Sequence, residues 1–192
     1  MTMTDADVLE ALRDAGAILH GHFRLTSGRH SDTYVQCARI LEDPALTTRL
    51  AEAMAASVAG RKIDAVAAPA VGGIIIGFAV AQALGVKFIF SERQQGTMTF
   101  RRSFTVEPGE RVLVVEDVVT TGGSVSEVMD LVRAGGGVVE AVTSIIDRGG
   151  KKAFDAEYLP LLQLEVESME PHDCPQCASG AAIDSPGSRR LS

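Results

Sequence analysis

The sequence predicts an α/β fold with a central, mostly parallel sheet flanked by helices. Three observations predict it. Apolar runs of strand length lie at 63–68, 86–91, 111–115 and 138–146. Helical segments at 74–84 and 125–134 alternate with them, the order of a parallel sheet covered by crossover helices. Several of these runs are apolar throughout rather than alternating, as in strands buried on both faces.

The elements follow in order. Asp5 to Ala15 reads as a first helix, with Val8, Leu9 and Leu12 at helical spacing. Between His20 and Cys37 there is a turn at Ser27-Gly28 and a strand near Tyr34 to Cys37. Pro44 opens a second helix that runs through Leu50 and Met54 to about Ala59. The alternating elements begin at residue 63 and are interrupted by a polar segment, Glu92 to Ser103. The Gly135-Gly136-Gly137 turn leads into the strand at 138–146. After about Met169 the chain is rich in Pro, Gly, Ser and Cys and has little periodicity.

Composition narrows the function classes. At 192 residues, with 46% apolar and 22% charged residues, the chain reads as one globular domain. A net charge of −7 argues against a nucleic-acid-binding surface. The uncharged stretch Ala65 to Val86 is long enough to span a bilayer. Pro69, Gln82 and its glycines make it a buried strand, loop and helix instead, so no membrane partner is expected. The N-terminus lacks the basic and apolar regions of a secretory signal. Three cysteines, an odd number, fit a reducing compartment, and the expected location is the cytoplasm.

The chemistry concentrates in one segment. Val112 to Val115 leads into Glu116 and Asp117, then Val118, Val119, Thr120, Thr121, Gly122, Gly123 and Ser124, directly before a helix. Strand, small-residue loop and helix place backbone N–H groups where a phosphate binds. Two carboxylates beside that cradle suit sugar hydroxyls or a hydrated Mg²⁺. The segment is not a P-loop, because no Lys-Ser or Lys-Thr follows its glycines, and no dinucleotide fingerprint is present.

This pattern resembles the phosphoribosyl diphosphate (PRPP) signature of type I phosphoribosyltransferases at every position. The similarity is greatest to orotate phosphoribosyltransferases of a short-loop bacterial kind. It implies a single domain, with a core at about 46–164 and a small hood and tail from about 1–45 and 165–192. It implies transfer of the phosphoribosyl group from PRPP to orotate, giving orotidine 5′-monophosphate and pyrophosphate in pyrimidine biosynthesis. Mg²⁺ would be held mainly through the substrate, with Glu116 and Asp117 as candidate protein contacts. The expected assembly is a homodimer with a loop shared across the interface.

Roles carry over residue by residue. Thr120, Thr121, Gly122, Gly123 and Ser124 would hold the 5′-phosphate, Val118 and Val119 would belong to the same PRPP site, and Glu116 and Asp117 would hold the ribose. Gly72, after the first core strand, lies where the family binds pyrophosphate. Many orotate-specific relatives have lysine there, and also at Thr26. Arg93, Arg101 and Arg102 lie in the segment that forms a mobile closing loop in the family, with arginine in place of the usual lysines and histidine. Arg148, after Asp147, would pair with the orotate carboxylate, with Thr120 near the base and Arg29 as a further orotate contact. The PRPP motif would be the same in a purine or uracil salvage transferase or in a PRPP-sensing regulator. Arg148 and the Ser27-Gly28-Arg29 segment favour an acidic base, and the net charge disfavours the regulator.

One constellation lies outside this scheme. His172, Cys174 and Cys177 have the spacing of zinc ligands, one short of a closed structural site. Cys37 reads as a buried strand residue. His20, His22 and His30 show no recognisable metal spacing.

Overall fold

Local signals set the first helices. In the computed structural model, which describes residues 3–25, 27–149 and 154–186, Thr4 forms a capping box with Asp7 at the start of α1 (Asp5–Asp14). A hairpin follows, β1 (Ile18–Arg24) and β2 (His30–Val35), then the short α2 (Ala38–Leu41). Asp43 caps α3 (Pro44–Ser57) by accepting from the N–H groups of Ala45 and Leu46, with Pro44 in the first turn. The alternating part runs β3 (Ala65–Pro69), α4 (Gly72–Leu84), β4 (Lys87–Gln94), β5 (Thr97–Phe100), β6 (Arg111–Val119), α5 (Gly123–Ala134), β7 (Val138–Asp147) and β8 (Tyr158–Gln163). A 3-10 turn (Pro171–Asp173) and α6 (Pro175–Ala178) follow.

The main sheet has six strands in the order β5-β4-β3-β6-β7-β8. All neighbours are parallel except β4 and β5. Alternation along the central strands fills two cores. Val66, Leu113 and Val115 face Leu50 and Met54 of α3 and Ile76 and Val80 of α4. Ala65, Ala67, Val112 and Val114 face Val125, Val128, Met129 and Val132 of α5. Fully burying one such side chain contributes about 1.5–3 kcal/mol, so the two layers hold the C-terminal strand ends rigidly. No helix among the described residues is long and apolar enough to cross a membrane.

Several elements differ from the sequence expectation. The polar segment after Glu92 is an antiparallel hairpin, because β4 continues to Gln94 and β5 pairs back on it through a Gln95-Gly96 turn with positive φ at both residues. β6 continues past Val115 through both acids, since β7 pairs alongside as far as Val119 opposite Asp147. Cys37 is buried at the start of α2 rather than in a strand. β1 and β8 are additional strands.

The β1–β2 hairpin forms a separate two-stranded sheet. The chain after β8 returns to it. His30 and Met169 exchange both backbone hydrogen bonds at 2.8 Å. The Arg24 N–H donates to the Asp184 carbonyl, and the Asp184 N–H to the His22 carbonyl.

Candidate active site

A cleft of about 780 Å³ opens at the C-terminal end of β6. Open α/β sheets place their ligands at this end. Its lining includes Glu116, Val118, Val119, Thr120, Thr121, Gly122, Gly123, Ser124, Arg93 and Arg148. The loop after β6 and the first turn of α5 therefore share one cavity with both charge types. Gly122 has φ +79°, a conformation that only glycine adopts without strain, and it turns the chain into α5. The positive end of that helix and its free N–H groups point toward anions.

The two acids differ in setting. Glu116 is buried, and desolvation, reinforced by the charge of Asp117, pushes its carboxyl well above the usual range. Its Oε1 accepts from the Asp117 N–H at 3.2 Å. Asp117 is partly exposed, and its Oδ1 accepts from the Val118 N–H at 2.8 Å. Gly72 is not among the cleft-lining residues, but it faces Asp117. A Cβ there would stand 2.8 Å from both carboxylate oxygens, and one on Gly73 would stand 3.1 Å from Glu116. The glycines at the start of α4 thus let the acids lie against its backbone. The peptide between Ala70 and Val71 in this loop is cis.

The arginines separate into two groups. Arg148 lines the cleft, and its backbone N–H donates to the Val119 carbonyl at 3.0 Å. Its Nε is buried and has no hydrogen-bond partner among the described residues. Desolvation lowers its pKa from the ordinary value. Arg93 reaches the cleft from β4 and forms a two-pronged pair with Glu127 of α5, one arm at 3.1 Å. Arg101 and Arg102 lie beyond β5 and are absent from the lining. Arg102 makes two 3.1 Å hydrogen bonds to Glu92, and Arg101 stands 4.0 Å from the same carboxylate.

Arg29 is also outside the cleft. It donates to the Ser168 side chain at 2.9 Å and backbone at 2.6 Å, and pairs with Glu170, tying the hairpin turn to the returning chain. Thr26 lies outside the described residues. Leu25, Val125, Glu127, Val166 and Ser168, which the sequence did not single out as site residues, complete the lining together with Ser27 of the Ser27-Gly28-Arg29 segment. Glu127 lies one turn into α5, just past the motif; Leu25, Val166 and Ser168 reach the cleft through long-range folding.

The zinc spacing requires a correction. His172 is exposed and faces Asp173 at 3.3 Å. The ligand atoms of Cys174 and Cys177 converge instead with those of His22 and His30.

Comparisons with known proteins agree with this geometry. Residues 37–170 match the model of the phosphoribosyl transferase domain. The orotate phosphoribosyltransferase of Pelotomaculum thermopropionicum is 50% identical over 190 residues, covering 98% of this chain and 100% of that one. That of Chlorobium phaeobacteroides strain BS1 is 47% identical over 190 residues, covering 98% of each. The crystal structure of orotate phosphoribosyltransferase from Aeropyrum pernix superposes with a TM-score of 0.70 at 27% identity, covering 82% of this chain and 93% of that one. A Mycobacterium tuberculosis orotate phosphoribosyltransferase solved with inorganic phosphate gives 0.68 at 26% identity, covering 83% and 95%. A small-residue loop at a helix N-terminus beside one buried and one partly exposed acid, a family model spanning most of the chain and relatives matched nearly end to end converge: the chain belongs to the phosphoribosyltransferase family, among its orotate phosphoribosyltransferases.

Proposed function

We propose that the protein transfers the 5-phosphoribosyl group from PRPP to orotate, forming orotidine 5′-monophosphate and pyrophosphate in pyrimidine biosynthesis. The observation that carries the choice of base is Arg148. A cleft-lining guanidinium whose buried Nε has no partner among the described residues calls for a planar carboxylate, which orotate has and purines and uracil lack.

The remaining roles follow from chemistry. Thr120 to Ser124 donate hydroxyl and backbone N–H groups to the 5′-phosphate. The bond from ribose C1 to the diphosphate loosens, C1 gains positive charge, and orotate N1 closes on it. Glu116 and Asp117 hold the ribose hydroxyls. Burial first, and the charge of Asp117 second, disfavour the ionised Glu116; both are offset as the ribose becomes cationic, so the acids' stabilisation is greatest in the transition state. Arg93 supplies positive charge to the leaving diphosphate.

Carboxylate oxygens are the donor type that Mg²⁺ prefers, and Asp117, partly exposed beside Gly72, fits that cation. Mg²⁺ bound with PRPP would neutralise charge on the departing diphosphate.

The proposed assembly is a homodimer. Val71, Ile75 and Phe78 form an exposed apolar stripe at helical spacing at the start of α4, and Arg101 and Arg102 lie away from their own cleft. In the dimer these arginines would serve the neighbouring site. The proposed location is the cytoplasm, where all three cysteines, unpaired here, remain reduced.

Arg148→Ala tests the choice of base. Its expected effect is a loss of about 1.5–3 kcal/mol in orotate binding, the range for a charged hydrogen-bonding partner. The KM for PRPP should be little changed. An unchanged orotate KM would remove the role.

A further inference from the structure

We propose that His22, His30, Cys174 and Cys177 form a closed structural zinc site that fastens the C-terminal segment to the β1–β2 hairpin. His22 lies on β1 and His30 on β2, while Cys174 is the N-cap of α6 and Cys177 lies within it. All four ligand atoms lie within 4.8 Å of one another. None of these residues lines the cleft, so the site is separate from the one proposed for catalysis.

The distances match a metal polyhedron. Zinc bonds of about 2.0–2.1 Å to nitrogen and 2.3 Å to sulfur put tetrahedral neighbours roughly 3.3 Å apart for two nitrogens and roughly 3.6 Å for nitrogen and sulfur. His22 Nε2 stands 3.2 Å from His30 Nδ1. Cys174 Sγ is 3.4 Å and Cys177 Sγ 3.6 Å from His22 Nε2. Cys177 Sγ is 3.2 Å from His30 Nδ1. Four edges of the tetrahedron are therefore already close to their metal-bound lengths.

Hydrogen bonding alone accounts poorly for this cluster. His22 Nδ1 faces the Ala181 carbonyl at 3.1 Å, and a carbonyl only accepts. Nδ1 therefore carries the proton of the neutral ring, and Nε2 presents a lone pair to the cluster. If His30 Nδ1 donates to that lone pair, neither thiol has an acceptor nitrogen left within the cluster. If the thiols donate to the two nitrogens, two lone pairs face each other at 3.2 Å. A single cation satisfies all four donors, and the Ala181 carbonyl then serves as the outer partner that orients a metal-bound imidazole.

The donor set selects the metal. Two thiolates and two imidazoles suit zinc, whereas Mg²⁺ and Ca²⁺ take oxygen. Two thiolates also cancel the ion's charge. Four protein ligands leave no open position, which makes the site structural. The hairpin supplies its pair through a register shift between His20 and Phe23, the kind of bulge that re-aims side chains. Gln176 Nε2 donates to the Gly21 carbonyl at 3.0 Å, docking α6 onto that bulge.

The test is metal analysis of the full chain purified without chelator. The expected result is about one zinc per chain, falling to about one tenth or less in Cys174→Ser and Cys177→Ser and unchanged in Cys37→Ser. Replacement by Co²⁺ should give a thiolate charge-transfer band and the strong visible bands of a tetrahedral site, independent of any variant. Chelation should lower Tm by roughly 5 °C or more, restored by zinc. Zinc-free protein that fails to take up zinc on addition, an octahedral Co²⁺ spectrum, or a Cys174–Cys177 disulfide in protein kept under reductant would each overturn the proposal.

Discussion

Burial of Glu116 beside Asp117 costs the free protein stability that bound substrate relieves. The ordinary pKa of this side chain is 4.5, and in the folded protein it lies well above that. Between those two values the folded state holds a proton that the unfolded chain has lost. Stability from this group is therefore fully present below pH 4.5 and declines as pH rises through the folded pKa. Glutamine keeps the shape and cannot ionise. Without PRPP or Mg²⁺, Glu116→Gln should gain in Tm over the parent as pH is raised from about 5 to 8. A gap that stays constant across that range would mean the carboxyl is not disfavoured in its charged form. The importance of these acids was legible in the sequence because adjacent residues carry the whole motif. Their unequal burial was not, since it is set by packing against another element, where Gly72 lies against Asp117 and Gly73 against Glu116.

The β4–β5 hairpin and α5 meet through Arg93 and Glu127, and this contact bears on closure. Both side chains are more than a third exposed, so the pair contributes about 0–1 kcal/mol and is cheaply exchanged. A diphosphate entering the cleft competes with Glu127 for the same guanidinium. Arg93→Ala should lower kcat/KM for PRPP by about 10-fold or more while stability moves by less than about 1 kcal/mol. Glu127→Gln frees the arginine and should not raise the KM for PRPP. If both variants behave like the parent, Arg93 has no part in diphosphate binding. The sequence signalled these arginines by charge but not their hairpin, because a short polar strand has no apolar run to mark it. β8 was hidden for a different reason. Pro160 lies inside it, which ordinarily argues against a strand, and the edge position tolerates it.

For the whole molecule, the parallel core was readable because buried strands are apolar throughout. The second sheet was less so. β1 carries Gly21 and two histidines, and the hairpin gains its order from residues more than a hundred positions away, Asp184 against β1 and Met169 against β2. Half of the proposed zinc set was legible: Cys174 and Cys177 carry ligand spacing, but their histidine partners, His22 and His30, are at the opposite end of the chain, and nearby His172 stood in for them. The proposed dimer rests on the exposed stripe of Val71, Ile75 and Phe78. Sedimentation equilibrium should give twice the chain mass, and Phe78→Asp should shift it toward the monomer. A monomeric parent would remove the shared-site role of Arg101 and Arg102.

The most direct test of the central claim is the loss of orotate absorbance on mixing the protein with PRPP, Mg²⁺ and orotate, with hypoxanthine, adenine and uracil in parallel. The structure leads us to expect consumption of orotate alone, dependent on PRPP. Turnover of another base, or PRPP binding without turnover of any base, would contradict it.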